Sequence, residues 1–180
     1  MHLEFIREKA NAFPEIGHPL LIRSMKVWHC NYETLRPVSA CINLRALIIA
    51  SFPDASFATL NGLAALEYLE VLHLPKVTAL DDLSQLEALS TLRLATLPSW
   101  DTSGKVTTVD SLEPLTRLPR LKHLELFGIR PPDKSLSALE RCPQLVSVRV
   151  SKYPKQEESR FYESTDITDS FAPEPVTYDH

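Results

Sequence analysis

Apolar residues recur along the chain in a repeated order of short steps, and the same order returns every 20 to 32 residues. Six segments fit the spacing L-x-x-L-x-L-x-x-φ, in which φ is any apolar residue. The segments are Ile22–Cys30, Leu44–Phe52, Leu69–Val77, Leu89–Leu97, Leu121–Ile129 and Leu145–Tyr153. Because the x-L-x-L part alternates, each segment predicts a short β-strand with one buried face.

A second pattern precedes each segment after the first, in which apolar residues are spaced by three and run into the next strand. Before the fourth segment this set consists of Leu80, Leu83 and Leu86. Such spacing predicts a short helical or 3₁₀ segment with one apolar stripe. One strand–helix unit cannot bury its own apolar face, but stacked units share a continuous core. The chain is therefore predicted to form a repeat structure.

The two linked patterns resemble the leucine-rich repeat family over about Ile22–Tyr153. The resemblance implies an α/β fold, a leucine-rich repeat solenoid that forms an arc. Its parallel sheet would line the concave face, and short α or 3₁₀ segments would line the convex side. The family usually has Asn or Cys at the ninth position, where the side chain holds the turn after the strand. Cys30 alone matches here, so five turns must satisfy their backbone groups in another way.

The pattern divides the chain into three parts. Residues 1–21 are predicted to be an N-terminal cap, and residues 22–154 a leucine-rich repeat domain of about six repeats. Residues 155–180 are an acidic segment that is predicted to be flexible from about Ser164, although its aromatic residues Phe161, Tyr162, Phe171 and Tyr178 could dock. The insertion at residues 98–108 contains Trp100 and is predicted to be a surface loop.

Charge and cysteine content narrow the setting of the protein. The net charge is -4, so no global basic field attracts nucleic acid or anionic lipid. No apolar run reaches the ~18 residues of a membrane helix, and the N-terminus lacks the features of a signal peptide. Three cysteines without paired spacing favour a reducing, cytoplasmic setting. We therefore expect neither direct nucleic-acid binding nor membrane insertion.

The sequence offers little for catalysis or cofactor binding. Four scattered glycines exclude a glycine-rich phosphate loop, and common metal and nucleophile motifs are absent. Cys30, Cys41 and Cys142 occupy slots where other repeats carry apolar residues, so we interpret them as core thiols. His73 and His123 are predicted to lie on the concave face about 10 Å apart, too far to share a metal without a third ligand. No cofactor, metal or small-molecule substrate is expected.

The residues that flank the buried leucines would point out of the concave face. Aromatic and charged side chains among them are of the types that anchor protein interfaces. The candidate partner-binding residues are Trp28, His73, Arg93, His123, Glu125, Phe127 and Arg149. An alternative interpretation is an ordinary solvated face, in which Arg93, Glu125 and Arg149 form a cross-strand charge ladder.

These observations favour a non-catalytic module that binds a protein partner on the concave face, as a scaffold, adaptor or inhibitor. The family resemblance likewise implies partner recognition, assembly or inhibition. The alternative is an enzyme that uses a cysteine or a His–acid pair carried on the arc. A further hypothesis is self-regulation, in which the acidic segment lies on the column of Lys26, Arg93 and Arg149 and competes with a partner.

Overall fold

Within residues 1–177, which this computed structural model describes, seven strands form one parallel sheet in chain order. A separate pair of short strands lies beside it. The strands are β1 (His2–Ile6), β2 (Ser24–Trp28), β3 (Ala46–Ala50), β4 (Tyr68–Leu72), β5 (Thr91–Ala95), β6 (Thr107–Thr108), β7 (His123–Phe127), β8 (Ile129–Arg130) and β9 (Ser147–Ser151). β6 pairs with β8, and the other seven build the large sheet. A sheet that grows by one strand per repeat is the arrangement that the apolar spacing predicts.

Short 3₁₀ segments return the chain from the end of one strand to the start of the next. They span Pro19–Leu21, Arg36–Ala40, Phe57–Leu60, Asp81–Gln85, Glu113–Arg117 and Ser137–Arg141. The last five segments each bury apolar side chains against the sheet, and around Asp81–Gln85 the residues Leu80, Leu83 and Leu86 are each at most 1% exposed. In the first segment, by contrast, Leu20 and Leu21 are 54% and 56% exposed. The spacing by three therefore does mark the stripe that packs against the strands.

The core lies between the sheet and the 3₁₀ segments. Leu69, Leu92 and Leu124 are register partners in β4, β5 and β7, and each is at most 1% exposed. Burying one such side chain contributes about 1.5–3 kcal/mol. Because each leucine packs against the repeats on both sides, the core is continuous along the sheet.

The backbone leaves most strands of the large sheet through a residue in the left-handed conformation. These residues have φ between 52° and 69°, and they are Arg7, His29, Ser51, His73, Gly128 and Lys152. The N–H of His29 donates to the carbonyl of Ala50 at 3.1 Å. The N–H of Ser51 donates in the same way to Leu72 at 2.8 Å. The N–H of His73 likewise donates to Ala95 at 2.7 Å, whereas the N–H of Gly128 donates to Oγ of Ser151 at 2.9 Å. The turns after β3, β4 and β7, which lack the family's usual polar side chain, are thus satisfied by groups of the next repeat.

Gly128 shows why one of these turns requires glycine. A Cβ at this position would lie 2.5 Å from Oγ1 of Thr96 on the preceding repeat, and φ is +69°. Both the close approach and the left-handed backbone favour a residue without a side chain.

The third repeat has a different register from the predicted one. Leu69 pairs with Leu92, whereas Leu72 pairs with Ala95. The repeat therefore begins at Leu66, three residues before the predicted start at Leu69. Both registers place apolar residues at the template positions, so the template fits either one. The true register makes the first four repeats start 22, 22 and 23 residues apart.

This shift corrects the predicted location of His73. The residue lies beyond the end of β4 in a left-handed turn, not in the strand. Glu70 takes the place that was predicted for His73, between Ile48 on β3 and Arg93 on β5. Leu72 in turn points away from the core and is only half-buried.

The N-terminal segment contributes a strand of its own. β1 pairs in parallel with β2, and Leu3 and Phe5 lie opposite Met25 and Val27. Phe5 also packs on Phe13, with ring centroids 5.1 Å apart. Residues from the predicted cap therefore extend the sheet in the register of the repeats.

The insertion between the fourth and fifth repeats is more ordered than a surface loop. It contains the short helix α1 (Pro98–Thr102) and strand β6. Trp100 in α1 is half-buried, and its ring lies 5.1 Å from that of His73. The sequence predicted a surface loop here, and the structure instead has a short helix and a strand, because β6 finds a backbone partner in β8 just after the next repeat strand.

The segment after β9 closes the end of the core. Helix α2 (Lys155–Ser164) places Phe161 against the last repeat, where it is 0% exposed. Thr168 then forms an isolated parallel bridge with Ser147 and adds to the edge of the sheet. Its N–H donates to Val146 at 3.0 Å, and its carbonyl accepts from Val148 at 3.0 Å. Residues 178–180, with Tyr178, lie outside the described residues.

No helix among residues 1–177 has both the length and the apolar character that a bilayer crossing requires.

Two leucines of β4 test the register. Leu69→Ala should lower the free energy of unfolding by about 2–5 kcal/mol, because it opens a cavity in the core. Leu72→Ala, three residues along the same strand, should cost about 1 kcal/mol or less because the side chain is half-exposed. Urea denaturation measures both values. Equal losses for the two variants would contradict the register.

The stability of the protein should fall in acid through Glu157, which lies in α2 at the C-terminal end of the core. A hydrogen bond from Arg160 and one from the N–H of Leu136 hold the pKa of Glu157 at about 2, below its ordinary value of 4.5. A depressed pKa in the folded state stabilises the fold above pH 4.5, and this contribution is lost as the pH falls toward 2. Glu157→Gln should therefore flatten the fall in stability between pH 4.5 and 2, as measured by urea denaturation. Arg160→Met should act in the same direction, and an unchanged slope in both would contradict this role.

Candidate functional site

The face of the large sheet that points away from the 3₁₀ segments is the concave face, and it carries three parallel rows of side chains. The entry row, at the start of the strands, consists of His2, Ser24, Ala46, Tyr68, Thr91, His123 and Ser147. The middle row consists of Glu4, Lys26, Ile48, Glu70, Arg93, Glu125 and Arg149. The exit row consists of Ile6, Trp28, Ala50, Leu72, Ala95, Phe127 and Ser151. Parallel register places the members of each row about 4.8 Å apart.

The exit row is almost entirely apolar. Its bulky residues Trp28, Leu72 and Phe127 are half-buried, and small alanines stand between them. Ile6 at its N-terminal end is 48% exposed. An open groove of about 400 Å³ follows the middle of this row, lined by Glu70, Leu72, Arg93, Ala95, Thr96, Pro98, Phe127 and Ser151. Contiguous apolar side chains that stay in contact with water often mark an interaction site, so the row is a candidate contact surface.

Arg93 sits at the centre of a charge network in the middle row. Its Nε donates to Oε2 of Glu125 at 2.7 Å, and its Nη1 donates to Oε2 of Glu70 at 3.1 Å. Nη1 also donates to the hydroxyl of Tyr68 at 3.0 Å, and that hydroxyl donates to Glu70 at 2.7 Å. Burial raises the pKa of Tyr68, so the hydroxyl keeps the proton that it donates.

Glu125 is the buried member of this network, with a side chain only 1% exposed. A buried carboxylate is costly unless it is paired and hydrogen-bonded. Arg93 and Glu125, which were both predicted to contact a partner, pair with each other in this structure, and their partner contacts stay a prediction. Together with Glu70 they link β4, β5 and β7 across the concave face.

The two ends of the middle row are paired as well. Nζ of Lys26 lies 3.7 Å from Glu4, and Nη1 of Arg149 lies 3.7 Å from Asp169. Of the cross-strand charge ladder that the sequence left open as an alternative, the structure contains the pair of Arg93 with Glu125, whereas Arg149 pairs with Asp169 instead. The charges of the middle row largely cancel, so the concave face offers a partner apolar surface more than net charge.

Residues 169–176, here called the strap, cross the concave face over β7 and β5. The N–H of Ala172 donates to Oε1 of Glu125 at 2.7 Å. The ring of Phe171 lies 6.5 Å from that of Phe127, and the guanidinium carbon of Arg149 lies 3.9 Å from the centre of the Phe171 ring. Glu174 approaches Arg93 at 3.9 Å. The acidic segment therefore reaches two residues of the predicted column, Arg93 and Arg149.

Lys26, the third residue of that column, is held by Glu4 and lies at the other end of the sheet. Farther along the strap, residues Pro173–Val176 form one wall of a cleft of about 190 Å³. Its other wall is lined by Arg45, Ala46, Glu67, Tyr68, Ser90 and Thr91. The strap therefore spans most of the sheet from β9 toward β3.

The candidate histidines do not form a common site. His123 lies in the entry row, and its Nδ1 is 2.8 Å from Oγ of Ser147. His73 lies beyond the exit row against Trp100. Burial lowers the pKa of both imidazoles, so both are neutral at pH 7. Among the described residues, no group of three His, Cys, Asp or Glu side chains is arranged to hold a metal.

The cysteines lack the surroundings of reactive thiols. Cys41 and Cys142 are buried, and burial raises the pKa of both, that of Cys142 to about 11. Cys30 is half-buried, and its Sγ donates to the carbonyl of Trp28 at 3.7 Å. Nucleophilic cysteines require a lowered pKa, so Cys41 and Cys142 resemble core residues more than catalytic ones.

Two residues of the candidate site were misplaced by the sequence analysis. They are the exit-row residue Leu72 and the middle-row residue Glu70, which the register of the third repeat moved. The near-equal spacing of the first four repeats, 22, 22 and 23 residues, was the signal that identifies them.

The strap was foreseen only as the hypothesis that the acidic segment lies on the column of Lys26, Arg93 and Arg149. Its contacts join residues that are distant in sequence, such as Ala172 and Glu125, 47 residues apart, and local pattern carries no signal for them.

Arg93 should matter more for stability than other charged residues of the sheet. Arg93→Ala should lower the free energy of unfolding by about 2–4 kcal/mol, because it leaves Glu125 buried without its guanidinium partner. The matched control is Arg45→Ala, which breaks an ion pair with Glu67 whose members are each 47% exposed. It should cost about 1 kcal/mol or less by urea denaturation. A loss for Arg93→Ala as small as that of the control would contradict the network.

Comparison with solved structures places this arrangement among known folds. Internalin C2 from Listeria monocytogenes aligns with a TM-score of 0.56 and 22% identity, covering 72% of this chain and 52% of its own. An internalin (inlF) from the same organism aligns with a TM-score of 0.55 and 16% identity, covering 82% of this chain and 47% of its own. The chain thus spans about half the length of these two proteins.

No family model matches the sequence, and the comparison with curated proteins gave no match either. Internalins are leucine-rich repeat proteins. The recurrent leucines, the parallel sheet built one strand per repeat and the likeness to these structures together show that the chain has the leucine-rich repeat fold.

Proposed function

We propose that the protein is a non-catalytic interaction module that binds a protein partner on its concave face, as a scaffold, adaptor or inhibitor. The observation that carries this proposal is the exit row, which is apolar across six strands from Ile6 to Phe127 on a mostly polar face. Buried aromatic and aliphatic anchors supply most of the energy of protein interfaces. A row of half-exposed Trp28, Leu72 and Phe127 offers such anchors to a partner.

The predicted contact residues take different parts in this proposal. Trp28 and Phe127 contact the partner through their exposed ring surfaces, and Arg149 lies at the rim beside Phe127. Arg93 and Glu125 act indirectly by fixing the strands. His123 stays in the entry row with Ser147, and His73 forms with Trp100 a wall at the end of the exit row.

The composition of the concave face supports a protein partner over nucleic acid. Acidic and basic side chains alternate in the middle row, where Lys26 faces Glu4 and Arg93 lies between two glutamates. Nucleic-acid binding usually requires a continuous basic stripe. We also infer a cytoplasmic setting, which the three free thiols support.

The alternative of an enzyme with a cysteine or a His–acid pair has weaker support. The pKa values of Cys41 and Cys142 are raised, which keeps both thiols protonated at neutral pH. His2 does contact Glu4 at 3.4 Å and Oγ of Ser24 at 2.7 Å. Ser24 is only 2% exposed, however, so its hydroxyl is poorly placed to attack a substrate.

A pair of exit-row substitutions tests the proposed function. Trp28→Ala combined with Leu72→Ala should reduce capture of native partners from a host extract at least ten-fold, because both anchors are lost. Neither residue is among the strap contacts described above. Arg93 is unsuitable for this test, since its loss should destabilise the fold.

The matched control combines Leu20→Ala with Ile42→Ala. These side chains are 54% and 50% exposed, and they lie outside the three rows. The control should capture the same proteins as the unmodified chain. If the exit-row variant is still folded by circular dichroism and captures the same partners in undiminished amount, the concave face is rejected as the binding site.

A further inference from the structure

We infer that the strap occupies the site where a segment of the partner binds. The concave face over β5, β7 and β9 would then recognise an extended segment whose residues are, in order, aromatic, small, proline and acidic. In the strap these residues are Phe171, Ala172, Pro173 and Glu174. The inference rests on the proposed function, because it specifies which partner the same face accepts.

Each strap contact is one that a segment of another protein can make. Phe171 supplies an aromatic ring to Phe127 and to the guanidinium of Arg149. Ala172 supplies a backbone N–H to Glu125, and its small side chain allows the close approach. The aromatic ring, the backbone N–H and the acidic side chain each contact a different residue of the sheet, so the face is suited to a short extended motif.

Glu125 makes the backbone contact specific. Its carboxylate is 1% exposed, and one oxygen accepts from Arg93 while the other accepts from Ala172. If the strap leaves, the second oxygen loses its donor. An occupant that offers an N–H at this point therefore replaces what the strap provided, whereas a side chain without a donor does not.

The strap is held lightly enough to be displaced. Phe171 is 64% exposed, Val176 is 63% exposed, and the side chain of Glu174 is 85% exposed. Ala172, at 7%, is the most buried apolar residue of the strap. Exposed ion pairs such as Glu174 with Arg93 contribute little to stability.

The chain on the N-terminal side of the strap is held differently. Thr168 is hydrogen-bonded on both sides to the edge of β9, and Phe161 is buried in the core. The strap can therefore leave the concave face from about residue 169 while the end of the core stays covered. A partner segment would gain in addition the open groove along Leu72, Ala95 and Phe127, which the strap leaves free.

A pair of substitutions at one strap position provides the test in the full-length chain. Ala172→Pro removes the N–H that donates to Glu125 and should release the strap. The matched control Ala172→Gly keeps that N–H. The probe is a fluorescent peptide of residues 169–177, Asp-Ser-Phe-Ala-Pro-Glu-Pro-Val-Thr, and binding is followed by fluorescence anisotropy.

The tethered strap competes with the peptide at high effective concentration in the unmodified chain. We therefore expect the peptide to bind Ala172→Pro at least ten-fold more tightly than the unmodified chain and the Ala172→Gly control. A peptide with Ala in place of its Phe should lose at least ten-fold in affinity, and so should Arg149→Ala in the Ala172→Pro background.

Two results would overturn the inference. One is equal peptide affinity in Ala172→Pro and Ala172→Gly, and the other is equal affinity of the Phe and Ala peptides. If Ala172→Pro does not fold, the double variant Phe171→Ala with Glu174→Ala releases the strap by a second route and is judged in the same way. These results are independent of the exit-row test, since that test scores partner capture through Trp28 and Leu72. A failure of peptide binding with capture intact rejects the strap inference alone.

Discussion

The structure depends on one constraint, which is that a single repeat has more apolar surface than it can bury by itself. Leu69, Leu92 and Leu124 are fully buried because the repeats on either side cover them. Register between neighbouring strands is therefore fixed by the core. Because side chains alternate along a strand, that register also fixes which residues line up on the opposite face. The three rows of the concave face are a direct consequence of how the core packs.

The same constraint explains why charged residues on this face stabilise the fold as well as lining a surface. A register that aligns Glu70, Arg93 and Glu125 forces opposite charges together at hydrogen-bond distance. With Glu125 almost fully buried, the interaction is stronger than an exposed ion pair and harder to break. Under the proposed function, recognition falls to the exit row, where apolar side chains remain half-buried, and to the Arg149 end of the middle row, where Phe171 contacts the guanidinium.

Much of this fold follows from the sequence, because periodic leucines report both the strands and the 3₁₀ segments. The third repeat shows where the pattern becomes ambiguous. Leu66, Leu69 and Leu72 are all leucines spaced by three, so two registers satisfy the template and spacing between repeats must decide. β1 was assigned to a cap because it supplies only Leu3 and Phe5 to the pattern. The charge network and the strap contacts depend on residues brought together by the fold, and no local spacing encodes them. The partner-binding residues stay a prediction.

The C-terminal segment closes the end of the core and covers part of the concave face, and these two contacts contribute very differently to stability. Removing the buried ring of Phe161 would cost about 3–5 kcal/mol, as for other core aromatics. The ion pair of Glu174 with Arg93 is worth about 1 kcal/mol or less, because one partner is almost fully exposed. A ligand that replaces the strap contacts therefore competes with only the weaker part. It can uncover the concave face while the end of the solenoid stays closed, and this separation makes a cover built from the protein's own chain compatible with binding.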